Sequence, residues 1–224
     1  MSRTGVIDGS LLGTDGRSAG NLGHLMGKYL PCFKAYDVRG VVPEELNTDV
    51  AYAIGRAFVE QTQAKSVCVG YDIRLSGLEL CEALTRGLND AGSDVIQLGL
   101  IGTEMVYFAT ANYGFDGGIM ITASHNPPQY NGMKMVRSES RPISSDTGLL
   151  AIEERAYALL QTAEEATGQG SIRKLDCYED FVKHLLNIVK PSELKPLRVL
   201  ADPGNGAAGL AMDQLCINLP LEIE

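Results

Sequence analysis

A hydroxyl, a titratable ring and an amide follow one another directly after a short apolar run. Residues 118–122 read Gly-Ile-Met-Ile-Thr, and Ser124, His125 and Asn126 come next, with Lys134 a little further along the chain. Ser124 offers a hydroxyl, His125 a group that titrates near neutrality, and Lys134 a fixed positive charge. In open α/β sheets, polar residues that follow the carboxyl ends of strands line the ligand crevice. This set of residue types suits the handling of phosphate.

Two other interpretations of the same segment have to be weighed. Ser, His and Asn before Pro127 are also turn formers, because their side chains bond nearby backbone and proline holds the preceding residue extended. The residue types alone leave this interpretation open. A Ser-His hydrolase is disfavoured, because the sequence has no G-x-S-x-G elbow and sequence neighbours are a poor arrangement for activating a serine.

The surrounding sequence alternates short apolar runs with helical patterns from Phe33 onward. A first helix is predicted behind the cap candidates Asn47 and Thr48, and a second between Ser76 and Gly92. Further helices are expected at 103–113, 147–162 and 178–189, and strands at 66–69, 95–98, 118–122, 133–136 and 197–201. This alternation predicts an α/β layered sheet with the serine segment at the carboxyl end of a buried strand.

The pattern also predicts a division of the chain. Residues 1–30 carry no sustained period and are expected to be a loosely structured extension, while 31–162 contain the first set of alternating elements. The small, polar stretch at 163–173 is predicted to be a linker, and 174–224 to begin a second α/β unit. Since residues 197–224 are too few to complete a layered domain, we expect that second domain to be incomplete.

The composition limits the classes of partner that we expect this chain to bind. The chain has 19 Lys and Arg against 28 Asp and Glu, a net charge of −9, which argues against nucleic-acid or anionic-membrane binding. An anionic ligand must therefore meet a local basic cluster. The five cysteines contain no C-x-x-C pair, and no apolar run is long enough to span a membrane. We expect a cytoplasmic protein with reduced thiols.

Five segments in series resemble one family. They are Cys32 to Gly40 (C-F-K-A-Y-D-V-R-G), Val69 to Ser76 (V-G-Y-D-I-R-L-S), the T-A-S-H-N-P block at 122–127, Y-N-G-M-K at 130–134 and R-P-I-S at 141–144. Together they are similar to the alpha-D-phosphohexomutases, above all the bacterial phosphomannomutases that also accept phosphoglucose. The resemblance implies a three-layer αβα sandwich domain with a mixed sheet at 31–162, followed by an incomplete second domain of the same kind.

The same resemblance implies a phosphohexomutase that interconverts hexose 1-phosphate and hexose 6-phosphate. Ser124 would carry the phosphoryl group, hexose 1,6-bisphosphate would be the intermediate and activator, and an oxygen of the phosphate on Ser124 would ligate Mg²⁺. Arg39, His125 and Lys134 would lie near the reacting groups. Lys134 would contact substrate phosphate, and Arg39 would either position a phosphate or assist deprotonation. His125 would either assist proton transfer or orient the loop.

Some family features are absent from the sequence. It contains neither the metal loop D-G-D-x-D-R nor the sugar-recognition segment, so a truncated, non-catalytic fragment that keeps the fold and partner contacts is an alternative. A G-x-G-x-x-G stretch at 204–209 follows a predicted strand, but too little chain follows it for a finished dinucleotide-binding unit, which we therefore disfavour.

Overall fold

The computed structural model describes residues 29–162, 164–166 and 168–224. The extension predicted over 1–30 therefore lies outside the described residues except for its last two. The backbone N–H groups of Tyr29 and Leu30 both donate to the Oε1 atom of Glu153, at 2.7 and 2.9 Å. Glu153 is buried, so its carboxylate fastens the start of the described chain to the domain.

Strands and helices alternate through most of the described chain, as the sequence pattern predicted. The strands are β1 (Val38–Val41), β2 (Ser66–Tyr71), β3 (Asp94–Leu100), β4 (Gly117–Ile121), β5 (Tyr130–Arg137), β6 (Arg141–Pro142), β7 (Ile172–Lys174), β8 (Leu197–Val199) and β9 (Leu221–Ile223). The helices are α1 (Thr48–Thr62), α2 (Gly77–Asp90), α3 (Thr103–Asn112), α4 (Leu150–Gln161), α5 (Tyr178–Val189) and α6 (Ala208–Cys216). No helix in these ranges is long and apolar enough to cross a membrane.

Seven strands form one mixed sheet in the order β1-β5-β4-β2-β3-β7, with β6 paired to the far end of β5. Strands β4, β2, β3 and β7 are parallel, whereas β5 runs antiparallel to both β1 and β4. Because parallel strands need crossover connections, the helices are forced onto the two faces of the sheet. The antiparallel strand β5 follows β4 through a short loop, and that loop carries Ser124.

Two apolar clusters cover the faces of the sheet and define three layers. The larger joins α1, α2 and α4 to one face, and its fully buried members include Phe58 and Leu84. The smaller joins α3 and the start of α5 to the other face, through Met105 and Phe181 among others. The expected three-layer αβα sandwich with a mixed sheet is confirmed.

The segment predicted as a linker is partly built into this sheet. Ile172 pairs with Val95, so β7 extends the parallel part of the sheet by one strand. In α5, the Phe181 ring packs against that of Phe108, with their centroids 5.5 Å apart. Beyond α5, β8, α6 and β9 form a separate parallel β-α-β unit, the expected start of a second domain. The domain boundary at 163–173 stays a prediction.

Four of the five cysteines are core residues. All five are free thiols, and four of them are buried. Burial raises the pKa of Cys32, Cys68 and Cys81 to about 12, so these thiols stay protonated at neutral pH and are poor nucleophiles.

Helices α1 and α2 cross with their backbones in contact. A Cβ atom added to Gly87 would lie 2.1 Å from the carbonyl oxygen of Tyr52, and one added to Gly55 would lie 2.5 Å from that of Leu84. The obstacles are backbone atoms that cannot rotate away. Each glycine is therefore required by the close approach of the other helix.

We expect Gly87→Ala to lower the free energy of unfolding by about 2 kcal/mol, because the added methyl group forces the two helices apart. Urea denaturation followed by circular dichroism measures the change. Gly209→Ala on α6 is the matched control, since a Cβ there meets no atom within 4 Å. Equal losses in the two variants would contradict the packing argument.

Candidate active site

Ser124 lies where the sequence predicts, in the loop that leaves the carboxyl end of β4. The strand ends at Ile121 and β5 begins at Tyr130, so the loop lies at the edge of the sheet. Ser124 and His125 are exposed, whereas Ala123 before them is buried. The serine hydroxyl is therefore presented to solvent at the edge where open α/β sheets bind ligands.

The backbone of Ser124 adopts the left-handed conformation, with φ at 54°. This conformation costs a residue with a Cβ atom roughly 1–2 kcal/mol, so surrounding contacts must hold it. The N–H of Ser124 donates to Thr122 Oγ1 at 2.9 Å. The backbone N–H and the side-chain Nδ2 of Asn126 both donate to the carbonyl of Ala123, at 3.0 and 2.8 Å.

The hydroxyl and the imidazole lie close together. Ser124 Oγ and His125 Nδ1 are 3.2 Å apart, so the hydroxyl donates to an unprotonated Nδ1 or accepts from a protonated one. The sequence argument disfavoured a Ser-His hydrolase because neighbouring residues are a poor arrangement for activating a serine, and that prediction concerns activation and not this distance.

Arg74 and Asp72 form an ion pair next to this loop. Arg74 Nε is 3.5 Å from Asp72 Oδ2, and the same oxygen accepts a 2.6 Å hydrogen bond from Thr122 Oγ1. The terminal nitrogens of Arg74 donate to four backbone carbonyls of the loop. Those carbonyls belong to Ser124, Asn126, Pro127 and Tyr130, at 2.6–2.9 Å.

Arg39 and Lys134 meet through a shared carboxylate. Arg39 Nη2 is 2.6 Å from Asp37 Oδ2, and Lys134 Nζ is 3.4 Å from the same oxygen. The side chain of Asp37 is 10% exposed, against 32% for each of the two cations. Asp37 therefore fixes the two positive groups side by side while leaving both accessible to solvent.

These cations line an open cleft of about 450 Å³. Its lining residues are Lys34, Ala35, Tyr36, Asp37, Arg39 and Lys134, three cations against one carboxylate. Burial, and secondarily the nearby Asp37 carboxylate, raises the pKa of Tyr107 on the adjacent helix α3. In a chain of net charge −9, this cleft is the kind of local basic cluster that an anionic ligand requires.

The strand register connects the cleft to the serine loop. Arg39 pairs with Gly132, and the N–H of Thr122 donates to the carbonyl of Gly132 at 2.9 Å. Thr122, Gly132 and Arg39 therefore form a row across three strands, and Ser124 follows two residues beyond it. Of the four predicted site residues, Ser124 and His125 are in direct contact, as are Arg39 and Lys134 with Asp37.

The described residues do not by themselves fit a magnesium site. They contain no cluster of three or more His, Cys, Asp or Glu side chains that could hold a metal ion. Mg²⁺ requires close to six oxygen ligands in octahedral geometry. The phosphate of a phosphorylated Ser124 would be one ligand, and the described part of the chain supplies no carboxylate cluster beside it.

Two residues of the site were missed from the sequence. Asp37 was not singled out, although it stands two residues before Arg39, and in extended chain that spacing puts two side chains on the same side. Thr122 was placed in the strand and in the T-A-S-H-N-P block but was given no role of its own, whereas its hydroxyl both donates to Asp72 and accepts from the N–H of Ser124.

The chain contains a three-layer α/β/α domain with an exposed serine at its sheet edge and a cleft nearby that is lined by three cations. Residues 31–162 match the family described as phosphoglucomutase/phosphomannomutase, alpha/beta/alpha domain I. The chain belongs to this family.

Similarity to known proteins supports this family membership. A phosphomannomutase of Salmonella typhimurium is 47% identical over 186 residues, which cover 83% of this chain and 41% of the relative. A protein of Xanthomonas campestris named phosphohexose mutases is 49% identical over 193 residues, 86% of this chain and 43% of the relative. A crystal structure of a phosphoglucomutase/phosphomannomutase family protein from Burkholderia thailandensis superposes with a TM-score of 0.76 at 37% identity, covering 86% of this chain and 43% of that one. The chain spans about two fifths of the length of these relatives.

The left-handed backbone of Ser124 leads to a stability prediction. We expect Ser124→Gly to be more stable to urea than Ser124→Ala by about 1 kcal/mol, because only glycine adopts this conformation without strain. Both variants lack the hydroxyl, so the comparison isolates the backbone. Equal unfolding free energies would show that the loop relaxes to another conformation when Ser124 is replaced.

Proposed function

We propose that this chain is the phosphoserine-bearing part of a phosphohexomutase, which interconverts hexose 1-phosphate and hexose 6-phosphate. The observation that carries the proposal is the exposed hydroxyl of Ser124, 3.2 Å from His125 Nδ1, on a loop fixed at the carboxyl edge of the sheet. The family membership supports it. The non-catalytic fragment is not favoured by any of the comparisons.

Ser124 and His125 have complementary tasks in the proposed transfer. When the serine takes a phosphoryl group from hexose 1,6-bisphosphate, a bond forms between Oγ and phosphorus and the bond from phosphorus to the sugar oxygen breaks. The hydroxyl proton passes to His125 Nδ1, and the released sugar oxygen takes up a proton. In the reverse step a sugar hydroxyl attacks the phosphorus and loses its proton, and Ser124 Oγ leaves and is protonated. Such transfers depend mainly on alignment and charge neutralisation.

Arg39 and Lys134 would hold the phosphate of the sugar. A guanidinium can bind two phosphate oxygens at once, and an ammonium adds a mobile point charge. Their shared contact with Asp37 keeps both groups in place before substrate arrives. This preorganisation spares the cost of ordering two long side chains on binding.

We include magnesium in the proposal only because the chain belongs to this family. When bound, Mg²⁺ would neutralise charge on the phosphoryl group. From this chain we assign only an oxygen of the phosphate on Ser124 as a ligand.

We expect the chain to acquire one phosphoryl group on Ser124 when it is incubated with glucose 1,6-bisphosphate and Mg²⁺. Intact mass followed by peptide mapping detects the modification. Ser124→Ala should remain unmodified, because it lacks the accepting oxygen, whereas Ser192→Ala, which removes an exposed hydroxyl elsewhere, should be labelled like the wild type. A wild-type chain that stays unlabelled, or one labelled at another residue, would contradict the proposal.

We expect Lys134→Gln to weaken binding of mannose 1-phosphate about tenfold, the loss of one charge-assisted hydrogen bond at a partly exposed site. Isothermal titration calorimetry at low salt gives the dissociation constants. Lys65→Gln removes the same charge from an exposed lysine at the opposite, amino end of β2 and should leave the affinity unchanged. The assignment of the cleft fails if both variants weaken binding equally.

A further inference from the structure

Both terminal nitrogens of Arg74 bond the loop that carries Ser124. Its side chain is only 11% exposed. One terminal nitrogen donates to the carbonyls of Ser124 at 2.8 Å and Asn126 at 2.6 Å, and the other to those of Pro127 and Tyr130, both at 2.9 Å. Hydrogen bonds from a charged donor are stronger than those between neutral groups. The guanidinium therefore gathers four carbonyls that are distributed over seven residues.

The opposite side of the Ser124 peptide is held through Asp72. The carboxylate accepts from Thr122 Oγ1, and Thr122 Oγ1 accepts in turn from the N–H of Ser124. Asp72 also accepts from the N–H of Arg74 at 3.1 Å. The N–H and the C=O of Ser124 are thus both fixed by this pair, and they are the groups that set its left-handed conformation.

The direction of the carbonyls has an electrostatic consequence for a phosphorylated serine. A phosphate dianion is repelled by carbonyl oxygens that point toward it. Four of these oxygens are hydrogen-bonded to Arg74 and so point toward its guanidinium. A phosphate on Ser124 Oγ is therefore not repelled by these four carbonyls. Arg74 itself cannot reach the sugar phosphate without giving up these bonds.

We propose that Arg74 is a positioning residue for phosphoryl transfer, which holds the Ser124 loop in the conformation that transfer requires and does not contact the sugar phosphate. This inference rests on the proposed function, because it names the residue that prepares the same serine. Lysine is a poor replacement, since a single ammonium cannot reproduce the planar fork that bonds four carbonyls.

The test compares Arg74→Ala and Arg74→Lys with Arg86→Ala, which removes an exposed arginine from α2. Two quantities are measured on the 224-residue chain: amide hydrogen exchange of residues 122–132 by mass spectrometry, and the rate of Ser124 labelling by glucose 1,6-bisphosphate. We expect both Arg74 variants to exchange at least about tenfold faster in this loop, with the rest of the sheet unchanged. Labelling should slow about a hundredfold, the effect of a small misplacement of the reacting group.

Chemical rescue separates positioning from general damage. Millimolar guanidinium chloride should restore slow loop exchange and labelling in Arg74→Ala, while the same concentration of tetramethylammonium chloride should not. Labelling of Arg74→Lys at the wild-type rate would overturn the proposal. So would a loss in Arg74→Ala that guanidinium fails to restore and that is accompanied by faster exchange across the whole sheet.

The two hypotheses fail differently. A wild-type chain that takes up no phosphoryl group contradicts the proposed function, and with it the contribution of Arg74 to transfer. Loop exchange that is unchanged in both Arg74 variants contradicts the positioning role even when the wild type is labelled.

Discussion

The close approach of three strands at Gly132 is the constraint on which the site depends. A Cβ atom there would lie 2.1 Å from the carbonyl oxygen of Val38 and 2.9 Å from that of Thr122. Only a residue without a side chain lets β1 and β4 pair with β5 at this level. That pairing aligns the strand bearing Arg39, the strand bearing Lys134 and the strand that delivers Ser124. The relative positions of the reactive side chains at the sheet edge therefore depend on a contact between backbones.

Much of this architecture could be predicted from periodicity, because helices and buried strands leave strong local patterns. The cap at Asn47 is confirmed by its 3.0 Å bond from the N–H of Val50. Ser76, predicted to cap α2, makes no such bond, because its hydroxyl accepts from Asn131 Nδ2 instead. The sequence does not show whether such a side chain bonds a local or a distant partner.

The site was predicted less completely, for a related reason. Ser124, His125, Arg39 and Lys134 stand in segments with distinctive residue types. The contacts that organise them join positions far apart in the chain, as Arg74 and Ser124 do across 50 residues. β1 and β7 were also not predicted. Local sequence patterns identify the reactive groups. The residues that orient those groups are identified only by the contacts in the folded structure.

The chain remains packed against the first domain beyond the predicted linker at 163–173. β7 is hydrogen-bonded to β3, and α5 packs on α3 through Phe181, so β7 and the start of α5 are held against the serine-bearing sheet. Lys190, with φ at 52°, and Pro191 follow at once. The chain therefore passes from the serine-bearing domain to the β-α-β unit only after α5, through the stretch between Val189 and β8.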